Sequence, residues 1–385
     1  MKSIYLDNNA TTRVAPEVAE AMLPYFTEMY GNPSSMYRFA QKSLDGIKQA
    51  RSRVADLLGA SSEEIVFTSC GTESDSTAIY AALRSNPEKK HIITTRVEHS
   101  AIKNLCEYLG RNGYRSTFVP VDKNGLLDMD FLREHLTEDT ALISVMWANN
   151  ETGVIFPVEE IAHMAKERGI VFHTDAVQAV GKIPINLKES SIDMLSLSGH
   201  KLHAPKGVGA LYVRKGTKFS PFMIGGHQES GRRGGTENVA SIVGLGKAAE
   251  LAAAHITEEN TRIRDLRDRL ETGLLERIPS SLVNGDMKMR LPNTTNISFE
   301  FIEGESILLM MDELGICASS GSACTSGSLE PSHVLRAMGV PYTAAHGSVR
   351  FSLSIYNTKE EVEYVIEKLP PIIARLRQMS PFWKQ

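Results

Sequence analysis

The sequence predicts an α/β fold with a mostly parallel central sheet flanked by helices, joined to a smaller α+β domain. Three observations predict it. From about Ala15 to Gly246, short apolar runs alternate with amphipathic stretches, the pattern of repeated strand–helix–strand units. Beyond about Leu251 the chain turns to a charged amphipathic helix, shorter strands and a closing helix. At 385 residues it also exceeds what a single hydrophobic core usually holds, which leaves room for two domains.

The strand-like runs lie at residues 64–68 (EIVFT), 91–94 (HIIT), 141–145 (ALISV), 171–174 (VFHT), 194–196 (MLS) and 209–213 (GALYV). Between them are helix-period segments such as 157–168, where Val158, Ile161, Ala162 and Ala165 share one face. In the second region a helix is expected at 258–277, with Ile263, Leu266, Leu270 and Leu274 on one side. Strands at 294–299 and 349–353 and a helix over 359–379 complete it. Residues 14–255 are therefore expected to form the large domain, and 1–13 with 256–385 the small one.

Composition narrows the function classes. Hydrophobic residues make up 42% and charged residues 23%, values of a globular chain and not a disordered one. Lys plus Arg number 42 against 46 for Asp plus Glu, so no basic excess points to nucleic acid. The longest apolar runs fall short of a membrane span, and the opening MKSIYLDNN lacks a basic-then-apolar signal. A cytoplasmic location is the expectation. Four cysteines, Cys70, Cys106, Cys317 and Cys324, are too few and too scattered for a disulfide framework or a CxxC zinc site.

In open α/β sheets, ligands bind beyond the carboxyl ends of the strands, so polar residues just after strand runs carry the chemistry. Ser196-Leu197-Ser198-Gly199-His200-Lys201 offers a lysine able to form a Schiff base with an aldehyde cofactor, and Ser198 and His200 can reach a phosphate nearby. An isolated His-Lys pair is more often plain surface loop; here it is one piece of a larger set. Asp175, in the run HTDAVQ, can keep a pyridinium nitrogen protonated, and Gln178 can donate to a phenolic oxygen. Asp175 as the cap of a following helix is an equally good reading of these residues alone.

Thr68-Ser69-Cys70-Gly71-Thr72-Glu73-Ser74 follows a strand and opens a helix, where exposed N–H groups and the helix dipole favour an anion. Gly71 allows close approach and Thr72 adds a hydroxyl; a capping box with a glutamate is the rival reading, and Cys70 is read as packing. His99, after the HIITT run, can stack on a ring or shuttle a proton, although a lone histidine is usually structural. Asn149 and Asn150, after ALISVMW, offer an amide at a strand tip or an ordinary Asx turn.

Two further residues define the reaction. Cys324 sits in SSGSACTSGS, a small-residue loop with no apolar neighbours to bury it, unlike Cys317 or Cys106. A thiol pKa of about 8.5 leaves a useful thiolate fraction near neutral pH. Arg350, alternating with apolar residues in VRF, presents a bidentate fork for a carboxylate, or else a surface ion pair.

Taken together, the segments YLDNNATT, GNPSS, TSCGTESDS, EHSA, WANNETG, HTDAVQAVGK, SGHKLHAPKGVG, GRRGGTEN, SSGSACTSGSLEPSHVLRAMG and VRFSLS resemble the pyridoxal-phosphate-dependent cysteine desulfurases of the class V aminotransferase family. The likeness spans nearly the whole chain, and within the family it is nearest the nitrogen-fixation group. It implies a fold type I transferase whose large domain binds pyridoxal 5'-phosphate. It further implies conversion of L-cysteine to L-alanine with sulfur carried as a persulfide on Cys324, for iron–sulfur cluster assembly in nitrogen fixation.

Carried over position by position, Lys201 is the Schiff-base lysine, Asp175 and Gln178 hold the ring, His99 stacks on it, and Asn150 lies beside ring and substrate. Gly71, Thr72, Ser198 and His200 hold the phosphate, with Thr236 reaching it from the other subunit of a homodimer, and Gly199 is a further cofactor-binding residue. Arg350 binds the substrate carboxylate, and Cys324 is the sulfur acceptor and a candidate transient iron–sulfur ligand. An iron–sulfur scaffold protein is the expected recipient of the sulfur. Tyr37 stands where the family commonly has histidine, and Ile355 where it often has arginine. A selenocysteine lyase or aminotransferase on the same fold is the alternative, and neither needs the thiol at Cys324. A docking module that has lost catalysis is disfavoured by the joint presence of Lys201, Asp175, His99 and Cys324.

Overall fold

A computed structural model describes residues 3–320 and 331–383. Seven strands form the main sheet, in spatial order Ile65–Thr68, Gly209–Val213, Met194–Ser198, Val171–Asp175, Thr140–Ser144, His91–Thr95 and Arg115–Val119. The last five are parallel, and Gly209–Val213 runs antiparallel to both its neighbours. Six of the seven are buried along their whole length or nearly so, and buried polar residues such as His91, His173 and Ser196 interrupt their apolar runs. Arg115–Val119 lies at the sheet edge with only Val119 buried, and its polar alternation hides it in the sequence.

Helices cover both faces of the sheet. Val158, Ile161, Ala162 and Ala165 of Val158–Glu167 are all buried, as their spacing predicts. Arg38–Leu58 lies against the first half of a long helix, Val239–Arg277, at backbone contact distance. A Cβ on Gly246 would stand 2.4 Å from the Ala50 Cα, so only glycine fits there. The long helix carries an 18-residue window of mean hydropathy 1.3, enough by length and composition to cross a bilayer. The separate apolar runs noted in the sequence merge into this window because alanines bridge them. Ile242, Leu245, Ala248 and Ala249 pack in the first core, so the helix belongs to the interior of the fold.

The same helix continues through a π turn at Glu259–Ile263 into Arg264–Arg277, so the division expected at residue 255 falls inside one continuous element. Its later half builds a second core. Ile263, Leu266, Leu270 and Leu274 meet Val362, Val365, Ile366 and Leu369 of Lys359–Met379 over the strands Thr294–Phe299 and Ser348–Ser352. Leu6, just after the N-terminal strand Ile4–Tyr5, joins this core, and that strand pairs in parallel with Ile316–Cys317. Val334, Leu335, Met338 and Ala345 pack in the first core instead, although their position in the chain assigned them to the second.

Candidate active site

A cavity of about 380 Å³ opens at the carboxyl ends of five strands of the main sheet. Thr68 leads to Cys70, Gly71 and Thr72; Thr95 leads to His99; Ser144 leads to Asn150; Asp175 leads to Gln178; Ser198 leads to His200 and Lys201. All of these after the strand ends line the one cavity, together with Arg350 from the second core. A larger cavity, about 520 Å³, lies by the last helix against Phe301, Tyr342 and Phe382. Its lining is mostly apolar and it gathers none of the expected site residues, so the chemistry belongs to the smaller one.

The floor comes from the sheet. Gly71 begins the helix Gly71–Ser85 at the cavity wall; a Cβ there would press on Val177 at 3.0 Å and face Ser198 at 3.5 Å. The Ser198 hydroxyl is buried without a hydrogen-bond partner. His200 is held by Thr11 Oγ1 at 3.1 Å, and burial, with Lys201 beside it, pushes its pKa down to about 4. It is therefore neutral, and its second ring nitrogen remains for a ligand. Asp175 accepts from the Val177 N–H at 2.9 Å; burial raises its pKa, while the nearby His99 and Lys201 oppose the rise. His99 caps the helix Ser100–Gly110 by accepting at Nδ1 from the Ala101 N–H at 3.2 Å, which fixes the ring at the cavity wall.

The roof is the N-terminal segment. The Lys201 Nζ donates to the carbonyls of Asn9 at 2.5 Å and Ala10 at 2.7 Å, and Gln178 Nε2 donates to the Asn9 carbonyl at 3.1 Å. Arg350 donates from Nη1 to the Asn150 carbonyl at 2.9 Å and from Nη2 to Asp7 Oδ1 at 2.7 Å. Asp7, Asn9, Ala10 and Thr11 carried no assigned role in the sequence. Their signal was the motif YLDNNATT, whose polar residues follow a short strand as those of the floor do.

Several sequence expectations meet a different environment. Asn149 is the Asx turn, its Oδ1 accepting from the N–H groups of Glu151 and Thr152, while its neighbour Asn150 lines the cavity. Glu73 forms no capping box with the N-cap Cys70; it accepts from the Ser69 N–H at 2.8 Å and pairs with Arg233 at 2.8 Å. Cys70 lines the cavity and is only half-buried, in place of the packing role expected. Gly199 is not in the cavity wall; it is wedged against Val208, where a Cβ would come within 2.9 Å. Thr236 is exposed and outside the cavity of its own chain.

Cys324 lies outside the described residues, and so does its expected role as acceptor and transient cluster ligand. The described residues on either side are anchored at the site. Ser319 exchanges backbone hydrogen bonds with Arg350, Ser332 donates to Glu151, and His333 Nε2 meets the Glu98 carbonyl at 3.0 Å. Among the described residues no cluster of His, Cys, Asp and Glu could hold a metal. Tyr37 is exposed, and Ile355 lines a small separate pocket beside Tyr356 and His203, so neither departure from the family pattern touches the cavity.

The residues present fit pyridoxal phosphate. An orphaned Ser198 hydroxyl facing the helix start at Gly71 suits a phosphate, a buried carboxyl suits a ring nitrogen, and the Lys201 amine lines the same cavity. The class-V aminotransferase family model matches residues 4–365. The chain is 62% identical to the cysteine desulfurase NifS of Azotobacter vinelandii, covering 100% of this chain and 96% of that one, and 61% identical to a cysteine desulfurase of Gluconacetobacter diazotrophicus at the same coverage. Among solved structures, a NifS-like protein superposes with a TM-score of 0.91 at 39% identity, over 97% of this chain and 100% of that one. A structure described as SspA in complex with cysteine gives 0.81 at 37%, over 92% and 100%. A site assembled at five strand ends, on a fold shared throughout with these proteins, places the chain in the class-V aminotransferase family, among the pyridoxal-phosphate-dependent NifS-like cysteine desulfurases.

Proposed function

We propose that the cavity takes L-cysteine and passes its sulfur to Cys324, releasing L-alanine, with the residues below in named roles. The observation that carries this reading is the convergence of Lys201, His99, Asp175 and Arg350 on one cavity from four separate elements. Bound pyridoxal phosphate supplies an electron sink for a carbanion at the substrate Cα.

Arg350 exchanges Asp7 for the substrate carboxylate and so fixes the amino acid's orientation. The amine of Lys201, released from the cofactor, moves the Cα proton; the carbonyls of Asn9 and Ala10 aim it. Asp175 holds the ring nitrogen's proton, and Gln178 the phenolic oxygen. With Nδ1 accepting from the Ala101 N–H, the His99 ring carries its proton on Nε2 and donates it toward the substrate sulfur. The Cys324 thiolate attacks the substrate sulfur: a Sγ–S bond forms, the substrate Cβ–S bond breaks, and its electron pair stays on carbon, which is then protonated. Thiol plus cysteine becomes persulfide plus alanine, with no outside oxidant.

The persulfide then goes to an iron–sulfur scaffold protein in the cytoplasm, in support of nitrogen-fixation proteins. The working unit is a homodimer in which Thr236, exposed in its own chain, reaches the phosphate of the second subunit's site. A hybrid of one Thr236→Ala subunit with one Lys201→Ala subunit tests the sharing, since it would hold one doubly damaged and one intact site. Verified hybrids without recovered activity exclude it. The reaction itself is tested by measuring alanine from L-cysteine and the mass of the Cys324 peptide after one turnover. Alanine without added mass on that peptide rejects the acceptor role.

A further inference from the structure

The cavity holds a carboxyl group to which the reaction above gives no task. Asp75, in the second turn of Gly71–Ser85, is 1% exposed and lines the same cavity as Asp175. Its Oδ1 has no hydrogen-bond partner, and His173 Nε2 stands 3.7 Å from it. That imidazole is fixed at both nitrogens, by Ser144 Oγ and Ser196 Oγ at 2.9 Å each. Burial pushes its pKa down to about 3, so it brings no positive charge to Asp75.

The other titratable groups that act most strongly on Asp75 are all acids: Asp175 from the strand Val171–Asp175, Glu98 from the turn after His91–Thr95, and Cys70 at its own helix cap. Lys201 and His99 both oppose the rise in the Asp175 pKa. Two buried carboxylates lining one cavity repel each other, and the one beside the Lys201 amine keeps the charge.

We propose that Asp75 is a positioning residue that stands in the loaded site as an uncharged carboxylic acid, leaving Asp175 the one carboxylate at the ring nitrogen. Burial, followed by the charge of Asp175, raises the Asp75 pKa well above the usual range, while the Ser196 hydroxyl opposes the rise. The unpartnered Oδ1 is then a hydroxyl or carbonyl oxygen and not half of a bare anion, and the ring nitrogen faces a single negative charge. This rests on the cofactor orientation proposed above.

Infrared spectroscopy of the holoenzyme tests it. In wild type carrying isotope-labelled aspartate, the band of a protonated carboxylic acid should be present at neutral pH and shift with the label. Asp75→Asn, neutral and of the same shape, should remove that band while pyridoxal phosphate titrated into the apoprotein binds within about threefold of wild type. Absence of the band in wild type overturns the proposal, whether or not the variant folds. A loss of affinity of about tenfold or more in folded Asp75→Asn, or a band that persists in it, overturns it as well. Asp175→Asn separates the two readings. If that change leaves cofactor affinity intact, the orientation of the ring is wrong, and the inference about Asp75 falls with it.

Discussion

The floor and the roof of the cavity are built on opposite terms. The floor, at the ends of the sheet strands, holds polar atoms with nothing to bond: Ser198 Oγ and Asp75 Oδ1 are buried without partners. The roof is largely bonded to itself, with Arg350 Nε buried without a partner. Asn9 Nδ2 donates to Thr294 Oγ1 at 2.9 Å, Asn8 Nδ2 to the Ser352 carbonyl at 2.9 Å, and two guanidinium nitrogens of Arg350 to Asp7 and Asn150. Unsatisfied buried groups cost free energy unless a ligand completes them. The floor is thus shaped to receive a cofactor that stays, and the roof must give up existing bonds to each substrate that passes. Loss of the floor's Lys201 should therefore abolish turnover, and loss of a roof residue should change substrate affinity.

Lys201→Ala is the most severe break of the floor. It removes the amine that attaches the cofactor and moves the Cα proton. Turnover should fall by about 10³-fold or more, within the range that a positioned acid–base group contributes. The borohydride-reducible adduct should vanish from the Lys201 peptide while the fold persists. An adduct that remains elsewhere in the variant would move the attachment point.

Cys324→Ser should leave both floor and roof intact and stop the sulfur. A serine hydroxyl is a far weaker attacker of sulfur than a thiolate, so alanine and persulfide should both drop about 100-fold or more. Substrate-induced change in the cofactor spectrum should survive. Cys106→Ser should leave turnover intact, because burial holds the Cys106 thiol up at about 12, far from a thiolate. Near-normal alanine from Cys324→Ser would replace the desulfurase mechanism with a simple lyase.

The roof yields the milder, affinity-type effects. Arg350→Ala should raise KM for cysteine about 10- to 100-fold, the worth of a charge-assisted hydrogen-bonded pair. Asp7→Asn should lower KM by about twofold to fivefold. The asparagine oxygen still accepts from Arg350 Nη2, but the charge that competes with the substrate carboxylate is gone. Steady-state KM with kcat measured alongside checks both. A higher KM in Asp7→Asn would mean that Asp7 orients Arg350 more than it competes.

The same division governs what the sequence disclosed. Floor residues sit within a few positions of a strand end, so the local pattern finds them: His99 is four residues past Thr95, and Lys201 three past Ser198. Roof contacts join residues far apart in the chain, 191 positions for Lys201 and Ala10 and 343 for Arg350 and Asp7, and no local pattern encodes such distances. Arg350 was legible only as an arginine among apolar residues. Asp75 was missed for a third reason: it lies inside a helix, where an aspartate normally marks the solvent side. The domain boundary was drawn where composition changes, but the chain crosses between the two cores along one unbroken helix.

The last effect concerns stability and not turnover. Glu98 lies behind the floor, and burial raises its pKa to about 8 from the usual 4.5, with the Asp175 charge adding to the rise. Folded protein therefore keeps this proton to higher pH than unfolded chain does. Between about 4.5 and 8 the folded state binds more protons, so stability falls as pH rises through that window. Glu98→Gln cannot ionise, and its amide oxygen can still accept from Thr95 Oγ1 and the Met146 N–H, as Oε1 does now at 2.9 and 3.0 Å. Urea midpoints at pH 5 and pH 8 should then decline less in the variant, with a difference on the order of a few kcal/mol growing toward the alkaline end. Glu151, raised by burial to about 7, titrates in both proteins and leaves a shared residual slope. Parallel profiles for wild type and variant would mean that Glu98 is already ionised in the folded protein at pH 5, with its charge met by the two donors it holds.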